Sequence, residues 1–184
     1  MAPTLQLPGT ARYTRPAVLL HWLLALMILV SFSMGVYMSD LPVSPTRLKL
    51  YNWHKWAGVT ILALSALRLL WRLAHRPPPD LPMPAWQARA AHLTHGLFYL
   101  LFFAVPLAGW AYSSAAGFPV VWFGVLPLPD FVPVDKALAD ILKATHGNLA
   151  FALAGLVVLH VAGAVQHQFI ARDGLINRLR WGAR

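Results

Sequence analysis

Four long apolar runs dominate the chain, and each is long enough to cross a bilayer as a helix. A hydrocarbon core of about 30 Å takes about 20 apolar residues in helical form. Stretches at about residues 16–38, 53–73, 90–112 and 145–170 meet that length. Pro16 suits a first helical turn. The intervening segments are rich in helix breakers: Pro42 and Pro45, then Pro77, Pro78, Pro79, Pro82 and Pro84, then the proline- and glycine-rich stretch 117–133. Pro106 falls inside the third run, where a kink is expected and tolerated. The first run is longer than a signal-peptide core and no small-x-small cleavage motif follows it, so it reads as a retained helix. Only 11% of residues are charged and 58% are hydrophobic, against about 25% charged in soluble domains. The expectation is a single all-α domain over residues 1–184, a four-helix transmembrane bundle.

The charges sit between the runs. A net charge of +9 invites a nucleic-acid reading. Basic residues that flank apolar runs, rather than form one stripe, argue against it. Arg12, Arg15, Arg68, Arg72, Arg76, Arg89, Arg172, Arg178, Arg180 and Arg184 fall on one side of the expected membrane. Arg47, Lys49, Lys55, Lys136 and Lys143 fall on the other. This asymmetry puts both termini in the cytoplasm. Trp22, Trp53, Trp56, Trp71, Trp110 and Trp181 lie near span ends, as interfacial aromatics do.

Chemistry then rests on histidine. There is no cysteine, which excludes disulfides, cysteine-ligated clusters and thioether-attached haem. The spans hold no Asp or Glu, which weakens a carboxylate-relay transporter. They do hold or border His21, His54, His92, His95, His146, His160 and His167. His146 and His160 are 14 residues apart, which is about 21 Å along a helix and within about 40° of one face. One helix thus presents two imidazoles to one side, one near each surface. Depth matches His54 to His146. His21 and His95 both match His160, and depth does not separate them. Ala25, Gly58, Gly147, Ala150, Gly155 and Gly163 accompany these histidines, as a flat macrocycle or close helix packing requires. Zinc or copper gathers three or four ligands at one depth. Ligands split between two depths favour two haems.

The chain resembles the bacterial cytochrome b561 family and, more loosely, the di-haem cytochrome b subunits of formate dehydrogenases and nickel–iron hydrogenases. RYTRPAVLLHW (Arg12–Trp22), NWHKWAGV (Asn52–Val59), RLLWRL (Arg68–Leu73), AHLTHGLFYLLFFAVPLAGW (Ala91–Trp110), KATHGNLA (Lys143–Ala150) and LHVAGAVQHQFI (Leu159–Ile170) carry the resemblance. It implies two b-type haems, with His21 and His160 as axial ligands of the inner one and His54 and His146 as those of the outer one. His92 and His95 then fall outside the axial set. It also implies oxidation of superoxide at the periplasmic face and reduction of ubiquinone in a bacterial inner membrane. His167 and His95 are candidates for quinone contact or for support of the ligands, with Trp86 a weaker one. Arg15, Arg72 and Arg76 are candidates for haem propionates. Arg47, Lys49, Lys55, Lys136 and Lys143 form a candidate outer funnel, opposed by Asp40, Asp130, Asp135 and Asp140. Two other readings stand beside this one. One is a membrane anchor passing electrons from a partner redox subunit to quinone. The other is a small non-redox membrane protein whose histidines bridge helices.

Overall fold

A computed structural model of the chain describes residues 12–179. Arg180, Trp181 and Arg184, used above for charge and aromatic placement, lie outside the described residues. The order is α1 (Arg15–Ser39), α2 (Pro45–Ala74), α3 (Ala85–Ala115), a hairpin of β1 (Val121–Trp122) and β2 (Leu126–Pro127), and α4 (Lys136–Gln166). A π turn (His167–Ala171) and a 3₁₀ turn (Leu175–Leu179) follow. All four helices are long and apolar enough to span a membrane. The all-α four-helix membrane bundle is therefore the observed fold. Large side chains such as Leu26, Leu29, Leu100 and Phe151 point outward, the arrangement lipid contact favours.

Three helices begin earlier than their apolar runs. α2 starts at Pro45 because Ser44 caps it, its hydroxyl accepting from Arg47 N–H at 3.2 Å. His54 is therefore the tenth residue of α2 and not its start. α4 starts at Lys136 because the Asp135 carboxylate accepts from Leu138 N–H at 2.8 Å. α3 starts at Ala85 and continues through Pro106.

The helices run up and down, so the starts of α1 and α3 share one end with the finishes of α2 and α4. At this terminal end Trp71 Nε1 donates to Thr14 Oγ1 at 2.8 Å, and Arg178 donates to Pro79 O at 2.6 Å. At the opposite, hairpin end Lys55 Nζ donates to Phe118 O at 2.9 Å and Trp56 Nε1 to Val121 O at 2.6 Å. The hairpin turns tightly at Phe123 and Gly124, both with positive φ. It occupies what the breaker count alone made a loop.

Packing is uneven. α1 lies on α2, α3 lies on α4, and α2 joins the two halves through α3; α4 does not pack closely on α1 or α2. Phe98, Leu101 and Leu153 form an apolar layer at mid-depth, with Ile28, Phe102 and Leu149 against it.

Candidate functional site

Histidines bridge the gap that the backbones leave. His54 from α2 faces His146 from α4 near the hairpin end, ring centroids 6.0 Å apart. His21 from α1 faces His160 from α4 near the terminal end, centroids 6.2 Å apart. The mid-depth apolar layer lies between the two levels, with Phe98 edge-on to His160 at 5.3 Å. His95 from α3 also reaches His160, at 5.8 Å. The structure thus gathers five of the candidate histidines into an outer pair and an inner trio.

Close approaches shape the outer pair. A Cβ on Gly35 would sit 3.1 Å from Cε1 of His54, and one on Gly109 would sit 2.9 Å from Cε1 of His146. Any larger residue there pushes the rings. These two glycines escaped the sequence reading, because their role is a contact between helices. Gly58, Gly147, Gly155 and Gly163 behave differently: a Cβ on any of them meets no atom of the chain within 4 Å. Close helix packing is therefore not what those four serve.

Hydrogen bonds orient the rings. His146 Nδ1–H donates to Val105 O at 2.9 Å, the carbonyl just before Pro106. His54 Nδ1 lies 3.3 Å from Ser31 Oγ and donates to it when Nδ1 carries the proton. With Nδ1 so engaged, Nε2 keeps the lone pair that binds a metal. His21 differs: Arg68 donates to its Nδ1 at 3.3 Å and to Ala17 O at 3.2 Å.

The pairs fit a bis-imidazole iron centre. A metal–imidazole bond of about 2 Å, plus about 1.1 Å from that nitrogen to the ring centre, sets trans rings about 6 Å apart. Both pairs meet that spacing. His146 also meets it by tautomer. At the inner pair, ligation through Nε2 of His21 requires Arg68 to release Nδ1. Among the described residues no group of three or more His or Asp side chains is placed to hold one metal ion.

The other candidates lie apart. His167, in the π turn, bonds Asp173 at 2.5 Å, with side-chain exposures of 14% and 25%. Partial burial pushes the Asp173 carboxyl up, but the bonds from His167 and Leu175 N–H outweigh it and hold the group below its ordinary range. Asp173 was not legible beforehand, because a π turn and left-handed Arg172 bring it back. His92 bonds Asp80 at 3.0 Å on the surface, and Trp86 is exposed. On the hairpin side Lys136 pairs with Asp140 at 3.1 Å, Lys49 stands over Trp53, and Arg47 reaches Tyr51.

A membrane bundle with imidazoles facing across its interior belongs to the class of membrane haem proteins that transfer electrons. The prokaryotic cytochrome b561 family model matches residues 12–182, and the chain belongs to that family. It is 33% identical over 173 residues to "Cytochrome b561 homolog 2" of Escherichia coli (strain K12), covering 91% of this chain and 90% of the relative. It is 30% identical over 170 residues to "Probable superoxide oxidase CybB" of Yersinia pestis, covering 91% and 95%. "Cytochrome b561 homolog 1" of Escherichia coli is 28% identical over 172 residues, covering 91% and 96%. Membership makes the chain a multi-pass membrane electron-transfer protein that binds b-type haem.

Proposed function

We propose that the chain carries two b-type haems and passes electrons from superoxide at the periplasmic face to ubiquinone in a bacterial inner membrane. The observation that supports this most is the pair of histidine bridges, 6.0 and 6.2 Å wide, at two levels of one bundle. The name of the Yersinia relative supports superoxide as donor.

In this reading His54 and His146 would hold the haem at the hairpin end, and His21 and His160 the haem at the terminal end. Haem supplies the one-electron redox centre at each level. Val105 O holds the His146 ring in its binding tautomer, and Ser31 Oγ stands beside Nδ1 of His54. Phe98, Leu101 and Leu153 keep water out of the space between levels. Two superoxide anions each lose one electron and leave as dioxygen. Ubiquinone takes both electrons and two protons. His167, at the cytoplasmic rim, is placed to pass a proton to a quinone oxygen through Nε2, while the Asp173 carboxylate accepts from Nδ1–H and orients the ring. His95, packed on His160, supports the inner ligand.

The test is a dithionite-reduced minus oxidised spectrum of the purified chain with haem counted per chain. About two haems with bis-histidine spectra are expected. His146→Ala and His160→Ala each lose a different one. One haem in the native chain, or loss of both in each variant, rejects the assignment. Quinone reduction by superoxide with the chain alone then separates an enzyme from an anchor that needs a partner redox subunit.

A further inference from the structure

We propose that a cleft at the terminal end, between the start of α1 and the finish of α2, binds the phosphate of an anionic phospholipid headgroup. Arg12, Arg68, Arg72 and Arg76 all line it. Charge balance is the first ground. The bundle has two carboxylates at this end among the described residues, Asp80 and Asp173. Each is engaged by a histidine, His92 and His167 respectively. Among the described residues no carboxylate lies within ion-pair distance of the four arginines. A cleft with this much uncompensated positive charge attracts an oxyanion.

The start of α1 adds to it. No acidic residue stands in the first turn, and the Thr14 side chain does not cap the helix. Its hydroxyl is instead taken by Trp71 Nε1. Thr14 and Ala17 line the cleft, so the positive end of the α1 dipole lies beside the arginines.

Two oxyanions compete for such a place: a haem propionate and a lipid phosphate. The arginines are not equivalent in this respect. Arg68 turns inward, to Ala17 O and His21. Arg12 and Arg76 are exposed at the rim, where a headgroup lies. His75 stacks flat on Trp71 at 3.9 Å, which places an aromatic platform at the depth of the membrane interface. Basic pockets between helices on the cytoplasmic side take anionic headgroups in this way. The site needs only membrane insertion, so its failure would leave the haem reading intact.

The experiment is native mass spectrometry of the full haem-loaded chain, delipidated in steps in the presence of phosphatidylglycerol and phosphatidylethanolamine. Arg12→Gln with Arg76→Gln is the variant, since both side chains are exposed at the rim; an unchanged helical circular dichroism spectrum and melting temperature report that it folds. The native chain is expected to retain phosphatidylglycerol over phosphatidylethanolamine, and the variant to lose about tenfold of that preference. Excess inorganic phosphate is expected not to displace the lipid. Equal retention by both proteins overturns the proposal. Displacement by inorganic phosphate makes it a free-anion site and overturns it as well. A shift in a haem potential with lipid retention unchanged assigns the cleft to a propionate, with the same result.

Discussion

Single side chains decide how the imidazoles meet. Gly109→Ala places a methyl group 2.9 Å from His146 Cε1. The ring must shift, at about 1–3 kcal/mol for overpacking. The site of His54 and His146 is expected to bind haem more weakly, while Gly96→Ala, which meets no atom of the chain within 4 Å, leaves haem binding unchanged. Haem titration of the two variants checks the contrast. At the inner level His21 and His95 stand at nearly equal distances from His160. His21→Ala is expected to abolish the inner haem and His95→Ala to keep it with a shifted potential. Spectra in which His95→Ala loses the haem and His21→Ala keeps it reverse the assignment. Sequence depth brought these residues together but did not choose between them, because depth is one coordinate and ligand geometry needs three.

Helices were legible where lipid dictates their composition and hidden where capping does. The apolar runs placed α1 to α4. The polar first turns of α2 and α4 escaped, because Ser44 and Asp135, not hydrophobicity, set their starts. Asp135→Ala is expected to fray the start of α4 at a cost of about 1 kcal/mol, read as faster amide exchange over residues 136–140. The two-residue strands of the hairpin are too short for any alternation to show. At the far end of α4 the Asp173 carboxyl sits below its ordinary range. A lowered acid of this kind stabilises the turn at pH above its unfolded value, and that support is lost as pH falls through the folded value. Protection of residues 167–179, corrected for intrinsic exchange, is therefore expected to outlast the range in which a free aspartate protonates. Asp173→Asn removes that dependence.

At the scale of the molecule, the membrane bundle was readable from hydropathy, and the two levels at which histidines meet from the spacing of His146 and His160. What no spacing revealed is that α4 stays off α1 and α2 along its backbone and meets them through rings. The protein is thus two helical hairpins, α1–α2 and α3–α4, whose shared seam consists partly of histidine side chains and partly of the α2–α3 contact. Such a seam makes cofactor binding and assembly one equilibrium. The halves, expressed as separate polypeptides cut within residues 76–84, are expected to stay apart without haem and to join when it is supplied. Haem would then act as the mortar of the molecule, and its delivery as the step that decides when a newly inserted chain becomes a single body.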